Sequence, residues 1–397
     1  MDKGIAVTGM GIISALGTGS GENHSALIAG KTGLSYPEIL KTIHSNLPVG
    51  EVKFSNFELA GKLNLPFDHT FTRATLFGAI AAKEAISQAL LTKDDLKETG
   101  FISGTSVGGM DGTEKHYLEY EEKTDHRRFI QAQHPGFTTS EIASHLNLEE
   151  YVTTISTACS SSANAIMLGA RMIKSGKLKR VVVGGTDCLS KFTLNGFNSL
   201  MILSEGFCKA FDDSRKGLNL GEGASYLVLE ADDVLNGKPV LGRISGYGNA
   251  NDAFHQTASS ETGQGAFSAI KKALEIAGLT SKDIDYINAH GTATKNNDLS
   301  ESNAILRIFG EKAPDFSSTK AFTGHTLAAS GGLEAVFSLL ALQNDQIFPN
   351  LNFEIPMKET GLKPVTVLKK KKLQHILSNS FGFGGNCTSL IFSKNEE

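Results

Sequence analysis

The sequence predicts an α/β protein with buried sheets, built from two related halves. Apolar runs of strand length alternate along the chain with longer segments whose apolar residues recur at helical spacing, which is typical of α/β folds. The run IAVTGMG at residues 5–11 also has a weak echo in GRISGYG at residues 242–248, since both continue into Gly-x-Gly. We therefore expect an N-terminal half at residues 1–238 and a C-terminal half at residues 239–397.

The individual elements follow from the same patterns, because short apolar runs predict strands and periodic apolar stretches predict helices. The predicted strands are residues 5–8, 101–103, 151–155, 181–183, 226–229, 284–288 and 376–378. The predicted helices are residues 76–90, 163–174, 265–277, 299–309 and 326–342. The glycines of Gly9-Met10-Gly11 favour a turn that ends the first strand. Asp298, with Glu301 three residues later, indicates the cap of the helix that follows.

Charge and composition exclude several classes of protein. The 397 residues include 38 Lys and Arg against 42 Asp and Glu, a formal net charge of −4, which gives no general reason to expect a nucleic-acid or membrane partner. The longest apolar stretches, such as residues 335–342, are far shorter than the roughly 20 residues of a membrane-spanning helix. We expect a globular, cytoplasmic protein.

The four cysteines, Cys159, Cys188, Cys208 and Cys387, have no short paired spacing of the kind that zinc sites use. We expect no metal site, no cofactor and no disulfide framework. Cys159 differs in its setting, because a strand-like run precedes TACSSS at residues 157–162 and a helical face follows it. A helix N-terminus favours a thiolate, so Cys159 is predicted to be a nucleophile. The alternative is a buried small residue, which is how we interpret the other three cysteines.

Two histidines lie beside predicted elements. His290 follows the strand of YINAHGTAT at residues 286–294, at the edge where α/β sheets form ligand crevices, although it could also be a loop histidine that bonds backbone. His325 precedes a helix, whose N-terminus lowers the pKa of a histidine and keeps the ring neutral. Glu334 lies among apolar residues of that helix and needs a partner, for which Lys320 is the obvious candidate.

A glycine-rich segment, NSFGFGGN at residues 379–386, follows the last predicted strand. Gly382, Gly384 and Gly385 let the backbone present N–H groups to an oxyanion, and the alternative is a tight hairpin turn. A thiol, two neutral histidines and such donors, without paired metal-binding carboxylates, suit acyl-thioester chemistry.

With these motifs in this order, the sequence resembles the β-ketoacyl-acyl-carrier-protein synthases of the elongating, two-histidine type, which belong to the thiolase superfamily. The resemblance extends nearly end to end. The motifs that carry it are IAVTGMG, TACSSS, DSRKGLNLGEGA, YINAHGTAT, SSTKAFTGH and NSFGFGG. It implies a thiolase-like αβαβα layered fold of two similar halves, usually in a homodimer, with a heterodimer as the other arrangement.

The resemblance also implies a decarboxylative condensation that lengthens an acyl chain by two carbons, in fatty-acid or in polyketide and polyene elongation. Cys159 would accept the acyl chain, and His290 and His325 would hold the thioester oxygen of a malonyl unit as it loses carbon dioxide. Backbone N–H groups of Cys159 and Phe383 would form the oxyanion hole. Lys320, paired with Glu334, would orient His325.

Substrate-binding positions are implied in the same way. Thr292 and Thr294 match the positions that bind the carrier's pantetheine arm, and Phe383 matches an aromatic gate between the acyl pocket and the entrance. Glu334 and Gly384 complete the predicted substrate-binding set. The residues that we expect along the acyl tunnel are Met110, Met201, Ile202 and Phe383.

The implied partner is an acyl-carrier protein loaded with an acyl or a malonyl group. Carrier proteins are acidic, so docking uses basic residues, here Arg127 and Arg128 with Lys62, Arg73 and Lys209 as further candidates. This patch is poorer in basic residues than in housekeeping relatives. The difference motivates the hypothesis of a dedicated carrier in a polyene, pigment or other polyketide pathway.

Two other functions remain open on the sequence. A non-condensing partner subunit sets chain length in heterodimeric synthases and typically lacks the nucleophile. A degradative thiolase shares the fold but uses a second catalytic cysteine near the C-terminus, which makes Cys387 the residue to examine. An intact set of Cys159, His290 and His325 favours the condensing enzyme over both.

Overall fold

The computed structural model describes residues 4–395, apart from the side chain of Asp125. Strands and helices alternate along this range. The strands are β1 (Ile5–Ser14), β2 (Gly17–Thr18), β3 (Thr99–Gly104), β4 (Val152–Ile155), β5 (Arg180–Asp187), β6 (Gly223–Glu230), β7 (Gly242–Asn251), β8 (Tyr286–Asn288), β9 (Asp315–Ser317), β10 (Gln346–Ile347), β11 (Lys369–Lys370), β12 (His375–Phe381) and β13 (Asn386–Ser393).

The helices range from one turn to four. They are α1 (Ser20–Ile28), α2 (Asn56–Leu63), α3 (Arg73–Gln88), α4 (Lys93–Lys97), α5 (Met110–His116), α6 (Arg127–Gln131), α7 (Pro135–Leu146), α8 (Ser161–Lys174), α9 (Lys191–Ser199), α10 (Gln264–Ala277), α11 (Lys295–Phe309), α12 (Lys320–Thr323) and α13 (Ser330–Asn344). Within residues 4–395, no helix combines the length and the apolar character that crossing a membrane would require.

Most strands form one mixed sheet in the order β4-β3-β5-β6-β1-β7-β13-β12-β8-β9, with β2 paired to β1. On one side of the sheet, β1 pairs with β6 and β6 with β5, both antiparallel. Further out, β5 pairs with β3 and β3 with β4, both parallel. On the other side, β7 pairs with β13 and β13 with β12, both antiparallel. Further out, β12 pairs with β8 and β8 with β9, both parallel. The two sides of the sheet therefore share one topology. The exact division of the chain between residues 238 and 239 stays a prediction.

The helices occupy three layers around these strands. On one outer side, α3 packs on β1, β5 and β6, and on the other, α10 packs on β7 and β13. Between the two sets of strands, α8 contacts β3 and β5 while α13 contacts β12, and the two helices pack on each other. The middle helix α13 is buried almost throughout, from Ser330 to Leu342. The layering is therefore α-β-α-β-α, as the sequence predicts.

The predicted turn at Gly9-Met10-Gly11 is wrong, because β1 continues without a break to Ser14. A Cβ atom on Gly9 or Gly11 would lie 2.1 or 2.0 Å from a backbone oxygen of α3. In β7, a Cβ atom on Gly246 or Gly248 would lie 2.3 or 2.1 Å from a backbone oxygen of α10. The Gly-x-Gly echo therefore marks two places where a helix packs directly on strand backbone, and neither is a turn.

Two predicted helix starts are also displaced. The helix predicted from residue 326 begins at Ser330, after a short 3-10 turn at Leu327–Ala329. Helix α11 is capped by the Thr294 hydroxyl, which accepts from the Asn297 N–H, and not by Asp298. The Asp298 carboxylate is buried and accepts from the Phe211 N–H at 2.7 Å, so it holds a distant loop instead.

Candidate active site

One cavity of about 430 Å³ collects most of the predicted site residues. Its lining includes the thiol, both histidines and the glycine-rich turn, namely Cys159, His290, Thr292, Thr294, His325, Phe383 and Gly384. Lys320 and Glu334 do not line it and lie buried behind the histidines. Most of the residues that the sequence singles out therefore line one cavity, whereas Lys320 and Glu334 are buried away from its lining.

Cys159 lies on a sharp turn between β4 and α8, as predicted. Ala158 has a positive φ of 52°, a strained conformation for a residue with a side chain. The Ser161 hydroxyl donates to the Ala158 carbonyl at 2.6 Å and accepts from the Thr157 N–H at 2.9 Å, which holds the turn. A Cβ on Gly382 would lie 2.7 Å from the Thr157 carbonyl, so the glycine-rich turn packs directly against the nucleophile turn.

The predicted thiolate is wrong for the resting protein. Burial raises the pKa of the Cys159 thiol to about 11, while the positive charge of Lys320 and the Phe383 N–H act in the opposite direction. Cys159 is only 5% exposed, so loss of water around the charged form outweighs the favourable field at the start of α8. Cys159 is therefore a neutral thiol, and the charge of the buried Lys320 and the Phe383 N–H favour its deprotonation.

The other three cysteines are buried packing residues, as predicted. Burial raises the pKa of Cys208 and of Cys387 to about 12, and that of Cys188 well above its usual value. Cys387 belongs to an apolar cluster with α10 and does not line the cavity. A second catalytic cysteine at this position is therefore not supported. Among the residues described, no group of three or more His, Cys, Asp or Glu side chains is arranged to hold a metal ion.

His290 is held from two sides in the loop after β8. The buried Glu301 carboxylate accepts from the His290 N–H at 2.9 Å and from the Gly291 N–H at 2.8 Å. The Lys320 ammonium lies 3.3 Å from the ring Nδ1. Burial lowers the pKa of His290 well below its usual value, and Lys320 and His325 lower it further. The ring is therefore neutral.

His325 is held by the 3-10 turn that follows it. The Leu327 N–H donates to Nδ1 at 3.0 Å, and the Ser330 hydroxyl lies 3.2 Å from the same atom. Burial lowers the pKa of His325 well below its usual value, and Lys320 adds to this effect. The neutral ring is as predicted, but burial is the main cause.

The contacts at Nδ1 decide which nitrogen of each ring carries the proton. An ammonium group and a backbone N–H can only donate, so Nδ1 accepts in both His290 and His325. The proton of each neutral ring is therefore on Nε2, which becomes a donor. The two rings lie 5.4 Å apart at an interplanar angle of 89°. The cavity thus contains two neutral Nε2–H donors from different loops.

Lys320 and Glu334 form a buried ion pair, with side chains 2% and 3% exposed. Burial raises the pKa of Glu334 to about 7, against the opposing effect of Lys320. Glu334 is the predicted partner of Lys320, but the ring in contact with the Lys320 ammonium is His290 and not His325, the ring that the resemblance has Lys320 orient. Neither Lys320 nor Glu334 is among the residues that line the 430 Å³ cavity, and both are buried. The role of Glu334 in substrate binding stays a prediction.

Cys159 and Phe383 also line a second cavity of about 330 Å³. Its other walls are mainly apolar, and the residues include Val107, Phe192, Phe197, Leu200 and Leu327. Phe383 stacks on Phe197 with ring centroids 5.7 Å apart, at the boundary of the two cavities. Of the four residues predicted for the acyl tunnel, Phe383 lines both cavities, Met201 and Ile202 line only the 430 Å³ cavity, and Met110 lines neither. The course of an acyl tunnel stays a prediction. Cys159 lies where the two cavities meet.

Sequence reasoning missed a buried carboxylate at the end of β5. Asp187 accepts from the Thr105 hydroxyl at 2.6 Å and from the Ala328 N–H at 2.9 Å, and it thereby connects the loop after β3 to the turn after His325. Burial raises the pKa of Asp187 to about 6. A carboxylate that ends a strand of buried apolar residues is the signal that could have identified it.

Sequence reasoning also missed Asn386 as a bridge between the glycine-rich turn and the nucleophile helix. Its side-chain oxygen accepts from Ser160 at 2.8 Å, from Asn164 at 2.8 Å and from Asn249 at 2.9 Å. The network joins the start of α8 to β7 and β13. An amide between GFGG and the last strand is the local signal, although its partners are far away in the sequence.

Four of the five basic residues predicted for docking lie at the surface, and Arg73 does not. Arg73 is 6% exposed and forms a buried ion pair with Glu222 at 2.6 Å, so it is not available to a partner. Lys209 is paired with Glu354 at 2.9 Å. Arg127 and Arg128 are exposed at the start of α6.

Comparison with known proteins identifies what the chain resembles. Residues 2–234 match the family described as "Beta-ketoacyl synthase, N-terminal domain", and residues 241–354 match "Beta-ketoacyl synthase, C-terminal domain". The chain is 31% identical over 412 residues to "3-oxoacyl-[acyl-carrier-protein] synthase 2" of Staphylococcus aureus (strain N315), which covers 100% of this chain and 99% of that protein.

Two solved structures have the same fold over nearly the whole chain. "The ishigamide ketosynthase/chain length factor" matches with a TM-score of 0.92 and 28% identity, over 99% of this chain and 100% of that one. "Ketosynthase (ApeO) in Complex with its Chain Length Factor (ApeC) from Xenorhabdus doucetiae" matches with a TM-score of 0.82 and 31% identity, over 99% and 98%.

Proposed function

This chain belongs to the β-ketoacyl synthase family and is a condensing acyltransferase, and we propose that Cys159, His290 and His325 carry its reaction. The reaction joins an acyl chain to a malonyl unit held on an acyl-carrier protein, with loss of carbon dioxide, to give a 3-oxoacyl thioester. The observation that carries the proposal is the meeting of one thiol and two neutral Nε2–H donors in one buried cavity.

Acyl transfer to Cys159 comes first. The sulfur attacks the carrier thioester, the new S–C bond forms as the old one breaks, and the thiol proton leaves with the carrier's sulfur. Because burial holds the pKa of Cys159 at about 11, the thiolate forms only transiently, assisted by Lys320 and the Phe383 N–H. The adjoining apolar cavity receives the acyl chain.

Decarboxylation of the malonyl unit follows. Its C–C bond to the carboxylate breaks, carbon dioxide leaves, and the electron pair forms an enolate on the thioester. The Nε2–H groups of His290 and His325 donate to the enolate oxygen, which stabilises charge that develops only in the transition state. Lys320 acts through His290, since its ammonium holds Nδ1 and thereby keeps the proton on Nε2.

Condensation then transfers the acyl group. The enolate carbon attacks the acyl carbonyl on Cys159, and the backbone N–H groups of Cys159 and Phe383 receive the oxyanion. Collapse expels the Cys159 thiolate, which takes up a proton from solvent. Thr292, Thr294 and Gly384 line the same cavity as Cys159 and both histidines, which suits contact with the thioester arm.

The proposed partners are an acyl-carrier protein and a second synthase chain. Exposed Arg127, Arg128 and Lys62 supply positive charge for an acidic carrier. Strand β4 ends the order of sheet strands and has Val152 40% exposed, which suits pairing with another chain across the edge. A homodimer and a heterodimer with a related chain both use such an edge. The retained Cys159 favours the condensing role over that of a non-condensing partner subunit.

The test is the mass of the intact protein after incubation with acyl-carrier proteins of several chain lengths. We expect one acyl adduct on the wild type and on the control Cys387→Ala, and none on Cys159→Ala. The preferred chain length then indicates the pathway. An adduct that persists on Cys159→Ala would assign the acyl group to another residue and contradict the mechanism.

The identity of the carrier is tested separately. A dedicated carrier predicts faster turnover with a pathway-specific acyl-carrier protein than with the housekeeping one from the same cell. Equal rates with both carriers would contradict the hypothesis of a dedicated carrier and leave the condensation chemistry intact.

A further inference from the structure

The 430 Å³ cavity that Cys159, His290 and His325 line has an unusual distribution of charge. Among the described residues that line it, only Lys216 and Lys295 have a full charge at neutral pH, and none is a carboxylate. The chain as a whole has a net charge of −4. A cavity with only positive charges in a mildly acidic protein is suited to an anionic ligand.

The two lysines lie at the mouth of the cavity, and the reacting groups lie at its floor. Both lysine side chains are exposed, whereas Cys159, His290 and His325 are 5%, 1% and 2% exposed. Side chains with hydroxyl or amide groups also line this cavity. They are Thr257, Ser259, Thr292, Thr294, Asn296 and Asn297.

The backbones of Lys216 and Lys295 are fixed to each other by Arg215. Its guanidinium donates to the Lys295 carbonyl at 2.8 Å and to the Thr294 carbonyl at 3.3 Å, and Lys216 is the next residue in the chain. Arg215 itself lies 3.9 Å from the buried Asp298, so its own charge is compensated. Within the described part of the chain, neither lysine ammonium has an ion-pair partner. The backbones of two lysines without an ion-pair partner are therefore fixed on one rim of the cavity.

We propose that Lys216 and Lys295 bind the phosphate of the arm that delivers the thioester to Cys159. The inference rests on the proposed function and deepens it, because it assigns the part of the substrate that the catalytic residues do not touch. A phosphate at the mouth and a thioester at the floor give the arm a fixed direction in the cavity. A carrier-bound phosphopantetheine and a free coenzyme A thioester both have a phosphate on the pantetheine arm. The two lysines bind this shared phosphate.

The test measures kcat/KM for acylation of Cys159 by a hexanoyl thioester of pantetheine and by the same thioester of phosphopantetheine. We expect the wild type to prefer the phosphorylated arm by about tenfold, mainly through KM, since two exposed ammonium–phosphate contacts each contribute severalfold. The preference falls as salt is added. In Lys216→Ala/Lys295→Ala the ratio drops to about one, and in Lys216→Arg/Lys295→Arg it is largely restored. Lys271→Ala, an exposed lysine of α10, keeps the wild-type ratio.

The outcomes separate this inference from the proposed function. If no thioester acylates the wild type, the proposed function fails. If Cys159 is acylated but the double alanine variant keeps the tenfold preference for the phosphorylated arm, other residues bind the phosphate and the lysine assignment is wrong. Hexanoyl-carrier protein and hexanoyl coenzyme A, measured with the same variants, distinguish the two sources of the phosphate. The double variant should lose more kcat/KM with the thioester whose phosphate the two lysines bind in the wild type.

Discussion

The two sides of the central sheet are built alike but contribute different side chains to the candidate active site. From β1 to β4 and from β7 to β9, the strands pair in the same order of antiparallel and parallel neighbours. Each side has a helix packed directly on strand glycines, α3 on the first and α10 on the second. The scaffold is thus repeated, and the repeat predicts equal structural roles for matching positions.

The chemistry diverges where the matching strands end. After β4 the chain turns through Cys159 into α8, and after the matching strand β9 it passes Lys320 and His325 into α13. The first side supplies the proposed nucleophile, whereas the second supplies the two histidines proposed as donors and the glycine-rich turn. A buried carboxylate holds the loops on each side, Asp187 on the first and Glu301 on the second. The repeated scaffold therefore brings a thiol from one side and two histidines from the other to the lining of one cavity.

The largest expected effect separates the two half-reactions. Cys159→Ala should abolish the acyl adduct while release of carbon dioxide from a malonyl thioester continues. His290→Ala or His325→Ala should slow that release roughly 10²–10³-fold, the usual cost of losing one oxyanion donor, while the acyl adduct still forms. Intact mass and carbon dioxide release measure the two steps. Equal loss of both steps in all three variants would show that the two sides do not act separately.

Matched glycines test the repeat of the scaffold. Gly11→Ala and Gly248→Ala each place a Cβ about 2 Å from a helix backbone oxygen, so both should lower the free energy of unfolding by about 3 kcal/mol or more. Gly61→Ala is the control, since its Cβ meets open space in α2, and it should stabilise by about 0.5–1 kcal/mol. Urea unfolding gives the values. If one of the matched variants is tolerated, the two contacts are not equivalent.

The two buried carboxylates predict pH dependences of the same sign. Burial raises the pKa of Asp187 from 3.8 to about 6 and that of Glu301 from 4.5 to about 7, so the folded state binds more protons than the unfolded state between those values. The stabilising contribution of each is present at low pH and is lost as pH rises through the folded pKa.

Replacement by amides measures these contributions. Relative to Asp187→Asn, the wild type should lose on the order of 3 kcal/mol of unfolding free energy between pH 4 and pH 7, and relative to Glu301→Gln a similar amount about one pH unit higher. Glu205→Gln, at an exposed position, is the control. Parallel stability curves for the wild type and Asp187→Asn would contradict the raised pKa.

The smallest expected effect concerns the contact between the two sides. Asn386→Ala removes the acceptor shared by Ser160 and Asn164 of the first side and by Asn249 of the second, which should cost about 2 kcal/mol because buried donors lose their partner. A double-mutant cycle with Asn164→Ala should give a coupling of about 1 kcal/mol. Strict additivity would mean that the network does not join the two sides.

Local patterns in the sequence were sufficient for much of the fold and for the chemistry of the site. Helical spacing located α3, α8, α10 and α11, because residues three or four positions apart in the sequence form the apolar face of a helix. The turn at Cys159 and the glycine-rich turn at Gly382–Gly385 were also predictable, since small and glycine residues permit those backbone conformations locally. The Gly-x-Gly echo indicated two halves, although the turn predicted at Gly9-Met10-Gly11 is wrong.

Tertiary structure alone decided how the site residues behave. The pKa of Cys159, the contact of Lys320 with His290 instead of His325, and the burial of Arg73 against Glu222 all depend on groups that lie 30 to more than 200 positions apart in the chain. Burial removes water, and the field of a charge acts through space, so neither can be read from neighbouring residues. The sequence by itself determined which chemical groups the protein has, and only the packing of the two sides decided their protonation, their partners and the cavity that they share.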